Sequence, residues 1–391
     1  MNLDLAKVPR ELKLIFELLK KNNQDNIKAK SLEIFAEIDW AMFLEQSKHH
    51  RIYPVLYTKI KNKYEGFIPA NVMKILSLEY KRNTFIMLHL SAEMERVSEI
   101  FTEEKIRLLF LKGPVIAHNL YGDISLRTSS DLDFLIPLEE LEKAESILVR
   151  QGYEKDDYIK TVLNDWKWRH HHVTYFHPEK RIKLEIHWRL NPGPGAEPSF
   201  NELWERKRKS EFTTYPVYFL GTEDLFLFLV SHGARHGWSR LRWLLDILQL
   251  TDQEIDWKTT IKLLKRYHFI NTGAQALLLT TELLNSEITD EIKPILRKKK
   301  SIDLAQEAIF YFERMVNLHE DPIQEDIARF HERHLFSLKT VSQRLLFILS
   351  FLYPYPEDAE ILPLPKQLHF LYFPIRPFTW AWRKTRRHAL P

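Results

Sequence analysis

A chain of 391 residues is long enough for two or three packed units, and 45% hydrophobic with 28% charged residues is ordinary globular usage, which excludes a disordered or collagen-like polymer. Cysteine is absent, so disulfide scaffolds, thiolate zinc sites and cysteine nucleophiles are excluded. The net charge of +4 is a property of residues 361–391, which hold six basic and no acidic residues; the rest is nearly neutral and is not a basic body that would track a nucleic-acid backbone.

Residues 1–22 mix charged side chains into a helical pattern with no export-type apolar stretch, and the longest apolar run, 345–353, is about half of the roughly 20 residues that a spanning helix requires. A cytoplasmic protein without a transmembrane segment is expected. Apolar residues recur at helical spacing from 5 to about 61 and again from 71 to 104. The pattern changes at 106–111, a short apolar run ended by Lys112, Gly113 and Pro114, which suits a buried strand turning into a helix. Residues 132–136 form a second strand candidate, 139–150 a helix, and 173–176 with 182–190 a hairpin turned by Pro178, Glu179 and Lys180. The segment NPGPGAEPSF is a turn-rich junction, 215–220 offers one more strand, and helical periodicity runs from 222 to about 352. Six prolines between 354 and 377 forbid one continuous helix. The sole glycine pair spaced two apart, Gly193 and Gly195, is flanked by prolines, so neither a dinucleotide fingerprint nor a P-loop is present. The expected class is α+β: a small mixed-sheet core at 105–200, an N-terminal helical region at 1–104, a C-terminal helical domain at 201–353, and a proline-rich tail at 354–391.

Asp131 and Asp133 in SSDLDFLI carry the chemistry. Side chains two apart on a strand share a face, so both carboxylates point one way while Leu132, Phe134 and Ile136 point the other. Like charges this close call for a cation or a proton, and oxygen ligands suit a hard ion such as Mg²⁺. Glu185 in KLEIHWRL lies with His187 opposite the apolar residues, and the hairpin brings it towards the pair. Three such carboxylates make a two-metal phosphoryl or nucleotidyl transfer site. Lys112, Gly113, Arg127, Ser129 and Ser130 stand just upstream as phosphate-binding candidates.

The segment FLKGPVIAHNLYGDISLRTSSDLDFLI followed by KLEIHWRL resembles bacterial nucleotidyltransferases of the DNA polymerase beta-like superfamily, in the branch usually labelled only as uncharacterised nucleotidyltransferase. Lys112, Gly113, Tyr121, Gly122, Asp123, Arg127, Asp131, Asp133, Glu185, His187 and Trp188 carry the resemblance, which spans roughly 35–250 with a weaker match in the tail. It implies that Asp131, Asp133 and Glu185 hold divalent metal, two Mg²⁺ ions, and that the glycine turn and its neighbours bind an NTP triphosphate. Pro114 replaces the usual small residue after the glycine, and Glu185 stands where this branch usually has aspartate. The resemblance also implies a small-molecule or peptide acceptor, since the family is often encoded near natural-product clusters.

Further residues are candidates at the margins. In RHHH at 169–172 alternation allows at most His170 and His172 to share an ion. His232, His236, Arg240 and Trp243 fall on one face of a helix, with His236 and Arg240 placed to reach a triphosphate, and Gly233 and Gly237 suggest close approach. The tail joins Phe378, Trp380 and Trp382 to Arg383, Lys384, Arg386 and Arg387. The expected activity is Mg²⁺-dependent transfer of a nucleoside monophosphate from NTP to an acceptor hydroxyl or phosphate. A toxin-like transferase acting on tRNA ends and a non-catalytic nucleotide- or partner-binding module are the alternatives, and a nucleic-acid partner is not favoured.

Overall fold

The computed structural model describes residues 3–21, 35, 37–318 and 322–387, with side chains described as far as Trp382. The chain opens with helices α1 (Arg10–Leu19), α2 (Trp40–His49), α3 (Tyr53–Lys63) and the 34-residue α4 (Ala70–Glu103). The helical spacing seen in the sequence is met: Leu12, Ile15, Phe16 and Leu19 are all buried on α1. Asp39 starts α2 by accepting the N–H groups of Ala41 and Met42.

A seven-stranded mixed sheet follows, in the order β3-β4-β5-β2-β1-β7-β6. Its strands are β1 (Leu109–Phe110), β2 (Asp131–Leu135), β3 (Glu154–Lys155), β4 (His172–His177), β5 (Ile182–His187), β6 (Arg208–Lys209) and β7 (Tyr218–Phe219). The expected hairpin is β4 and β5, antiparallel, while β5 lies parallel to β2 with Asp131 beside Lys183 and Asp133 beside Glu185. The run expected as a strand at 106–111 forms a strand over only Leu109 and Phe110, with Leu111 N–H still donating to the Asp133 carbonyl at 2.8 Å. One face of the sheet is apolar: Leu132, Phe134, Leu184 and Ile186 are inaccessible, and Phe134 meets Phe101 of α4 edge-on with ring centres 5.4 Å apart. The sheet takes β6 and β7 from beyond residue 200.

The C-terminal third is helical, with α9 (Thr222–Arg235), α10 (Leu241–Thr251), α12 (Ile270–Leu284) and α14 (Lys299–Glu313) packed against one another and separated in the chain by the shorter α11 (Trp257–Arg266) and α13 (Lys293–Leu296). Between β5 and β7 the chain also forms α8 (Phe200–Glu205), while α5 (Pro114–Tyr121), α6 (Leu141–Arg150) and α7 (Trp166–Arg169) lie within the strand region. After α15 (Glu325–Leu338) and α16 (Val341–Ser350), the proline-rich stretch forms α17 (Pro356–Ile361), a 3-10 turn and α18 (Tyr372–Arg387), the broken helix that its prolines require. The side chains of Arg383, Lys384, Arg386 and Arg387 lie outside the described residues. The fold is α+β with helical flanks on both sides of the sheet. No helix among the described residues is long and apolar enough to cross a membrane.

Candidate active site

The polar face of the sheet gathers Asp131 and Asp133 from β2 with Lys183, Glu185 and His187 from β5, as the parallel register dictates. His172 of β4 sits opposite His187 and Lys112 arrives from the end of β1. Asp133 is fully buried, and its Oδ1 receives Lys112 Nζ at 2.8 Å and His187 Nε2 at 3.2 Å. Lys183 Nζ bridges Glu185 Oε1 at 2.6 Å and Asp131 Oδ2 at 3.5 Å. Glu185 Oε2 faces two imidazoles, 3.6 Å from His187 Nε2 and 3.8 Å from His172 Nε2. The three expected carboxylates therefore share one face of the sheet, with two lysines as their counter-ions.

The charges follow from these contacts. Burial alone would raise the Glu185 carboxyl, but the His187 hydrogen bond and the Lys112 charge outweigh it and hold it far below the usual range. Burial would likewise lower His187, yet its bonds to Asp133 and Glu185 prevail and its pKa rises. His172, buried and next to His187, falls to about 3. His171 falls further, through burial and the nearby Arg235, so both rings are neutral at pH 7. Asp133 Oδ2 and His187 Nδ1 are buried with no hydrogen-bond partner. An orphaned buried carboxylate oxygen on this face is what a divalent cation would satisfy, so the residues fit a metal.

The turn after β1 is shaped by Gly113, whose φ of +89° suits glycine alone and whose Cα lies so close to β2 that an added Cβ would stand 3.2 Å from Leu132. Helix α5 begins at Pro114, and its first intrahelical bond joins Ala117 N–H to the Gly113 carbonyl. Pro114 has no N–H, so the donors of that first turn are Val115 and Ile116. Ser129 Oγ donates to the Asp131 carbonyl at 3.1 Å, and Ser130 is exposed beside it.

Arg127 lies elsewhere in function. It is 1% exposed, and its guanidinium grips both oxygens of Asp246 on α10 at 3.0–3.2 Å, where Tyr121 also donates at 2.8 Å. Gly122 ends α5 in the left-handed conformation and Asp123 caps the 3-10 turn at Ile124–Leu126. The Tyr-Gly-Asp and Arg positions of the motif thus build the loop that carries β2 into place. Asp246 pairs with Arg127 because α10 packs against α5.

The single helix expected to carry His232, His236, Arg240 and Trp243 is broken. Helix α9 ends at Arg235, Gly237 and Trp238 take positive φ, and α10 starts at Leu241. Tertiary packing regroups three of the four: ring centres lie 4.7 Å apart for His232 and His236, and 5.2 Å for His236 and Trp243. Arg240 turns away to the His49 carbonyl and Asn317. The histidine run also differs from simple alternation, since α7 ends at Arg169 and β4 starts only at His172. His171 and His172 consequently touch, Nε2 to Nδ1 at 3.2 Å, and His170 lies apart beside Tyr158.

Sequence reasoning passed over Lys183 and Arg235. Lys183 was readable, because the alternation in Lys-Leu-Glu-Ile-His puts it on the face of Glu185. Arg235 carried no such signal: packing brings the end of α9 close enough for Glu185 and Asp133 to act on it, while burial lowers its guanidinium to about 10 against their pull. Beside Arg235 opens a cavity of about 680 Å³ whose walls include Tyr158, Trp168, Arg189, Lys339 and Phe347.

This sheet and its acidic face are the framework of a nucleotidyltransferase-class protein. The family described as uncharacterised nucleotidyltransferase matches residues 36–285, well over half of the chain, and the chain belongs to that family. No curated protein matches it.

Proposed function

We propose that the protein transfers a nucleoside monophosphate from an NTP to a hydroxyl or phosphate of a small-molecule or peptide acceptor, with release of pyrophosphate. The observation that carries this reading is the convergence of Asp131, Asp133 and Glu185 on one buried face beside the Lys112–Gly113 turn. Those three carboxylates would hold two Mg²⁺ ions, which when bound neutralise phosphate oxygens and lower the pKa of an attacking acceptor group. The chain's own residues do the rest. Lys112 and Lys183, which balance the carboxylates here, would be the cations available to triphosphate oxygens when metal is held at those carboxylates. The Val115 and Ile116 N–H groups and the hydroxyls of Ser129 and Ser130 supply neutral donors on the same side. Arg127 and Arg240 contribute through scaffolding, since Asp246, His49 and Asn317 already engage them.

The neighbouring cavity supports a small acceptor. About 680 Å³ suits a metabolite or a few residues of peptide, and its aromatic and cationic walls suit a partly apolar, partly anionic molecule. That favours such an acceptor over the end of a tRNA. The test supplies each α-phosphate-labelled NTP with Mg²⁺ and a small-molecule extract of the native cells. Labelled product and pyrophosphate are expected from the wild type, with a loss of more than about 100-fold in Asp133→Asn, because even outer partners of metal ligands are worth about 10–100-fold. Equal labelling by the wild type and an Asp131→Ala/Asp133→Ala variant overturns the reading.

A further inference from the structure

The nitrogen ligands beside the carboxylates separate two kinds of metal position. An all-oxygen position at Asp131 and Asp133 suits a hard ion, whereas imidazole nitrogen draws ions of the Zn²⁺ class, which bind such sites more tightly than Mg²⁺. Asp133, Glu185 and His187 bring ligand atoms within 4.8 Å of one another, as do His171, His172 and His187, and His187 belongs to both groups.

The spacings are those of ligands around one ion. Atoms bound at about 2.0–2.2 Å to a tetrahedral Zn²⁺ lie roughly 3.3–3.6 Å from each other. His187 Nε2 is 3.2 Å from Asp133 Oδ1 and 3.6 Å from Glu185 Oε2, and His172 Nε2 is 3.8 Å from the same Glu185 oxygen. His187 thus holds both carboxylates through one nitrogen, and His172 stands beyond hydrogen-bond length from the same Glu185 oxygen, so the four side chains converge on one region. Lys112 and Lys183 take Asp133 Oδ1 and Glu185 Oε1, leaving Asp133 Oδ2, which has no partner, and Glu185 Oε2 turned to the imidazoles. His171 Nε2 stands 3.2 Å from His172 Nδ1. With that Nδ1–H donated to His171, His172 Nε2 keeps its lone pair for a metal, the outer support that ligating histidines commonly have.

We propose that His172, His187, Glu185 and Asp133 form a binding position for a borderline divalent transition ion of the Zn²⁺ kind, which takes the place of one of the two Mg²⁺ ions at the carboxylates and leaves the other to the all-oxygen position. Its role in transfer rests on the proposed function; its ability to bind an ion does not. Asp131 is a ligand of the Mg²⁺ position alone.

The probe is Co²⁺, titrated into chelator-treated, tag-free protein with millimolar Mg²⁺ and no nucleotide, and followed by visible absorption and equilibrium dialysis. One equivalent should bind with the strong bands of low-coordinate Co²⁺ and be displaced by Zn²⁺. His172→Gln and His187→Gln should each weaken binding about tenfold or more, with circular dichroism confirming that they fold. Asp131→Asn should keep the Co²⁺ spectrum while losing binding of Mg²⁺ with a non-hydrolysable NTP. Co²⁺ binding that Mg²⁺ abolishes, or that survives unchanged in both histidine variants, overturns the inference. If nucleotide binds but Co²⁺ does not, this proposal falls and the transferase reading stands; if Co²⁺ binds but no nucleotide does, the reverse holds.

Discussion

Asp133 shows how much one buried side chain can organise. Held against both Lys112 and His187, it makes a site close to electroneutral before any substrate arrives, which avoids the several kcal/mol that an unpaired buried charge costs. Arg127 uses the same physics for a different end, since a guanidinium fully engaged by Asp246 and screened from water is a clamp between β2 and α10. Glu93 on α4 is a third case. It is 5% exposed and receives Tyr153 Oη at 2.7 Å and Lys180 Nζ at 3.0 Å, with Arg96 one turn along. Burial alone would raise its carboxyl, but the bonds from Arg96, Tyr153 and Lys180 bring it down to about 2. Because the folded value lies below the unfolded one, the contribution is fully present above about pH 4.5 and is lost as pH falls towards 2. The difference is on the order of 3 kcal/mol. Urea midpoints of the wild type should therefore drop between pH 5 and 3 by more than those of Glu93→Gln, and equal drops would show that this cluster stores no such energy.

At the scale of elements, the break between α9 and α10 decides what faces the site. Gly233 gives up its side chain to the Trp238 ring, which would lie 2.2 Å from an added Cβ, and Trp238 in turn donates to Gln275 at 2.9 Å. Gly237 combines a φ of +62° with a Tyr311 ring that an added Cβ would meet at 2.4 Å. Both glycines are there for close approach, as their cost in a helix suggested. Gly237→Ala should lose about 2–5 kcal/mol, from left-handed strain of about 1–2 and overpacking of about 1–3. Chemical denaturation measures this directly; stability within about 0.5 kcal/mol of wild type, the scatter of surface substitutions, would contradict it.

Over the whole molecule, the tail is bound to the body. Asp358 of α17 is fully buried against Arg376 at 3.0 Å and Thr379, both on α18, and Tyr372 Oη donates to the Leu362 carbonyl at 2.9 Å. Arg169 of α7 joins this hairpin to the core by donating to the carbonyls of Tyr353 and Pro354 at 3.2 Å, with its guanidinium 3.7 Å from the centre of the Tyr355 ring. Replacing Arg376 by methionine removes the buried cation opposite Asp358, a change worth about 3–5 kcal/mol where such pairs are broken. Limited proteolysis of Arg376→Met should cut within residues 356–387 well before the wild type while the body persists. Cleavage at equal rates in both proteins would show that this pair does not hold the hairpin.

The α+β class, the β4–β5 hairpin and the Asp131, Asp133 and Glu185 face were legible in the sequence, because strand alternation is a local property and the carboxylates obey it. Local pattern also marked the turn at Gly113 and the stops imposed by the prolines. It could not say that Arg127 would be taken up by Asp246, nor that His171, His172 and His187 would meet. Those partners come from strands and helices far apart in the chain, and only packing brings them within a few ångströms. Charge pairing over such distances in sequence has no period to read, so it was settled by the packing of α10 against α5 and by the pairing of β5 with β2.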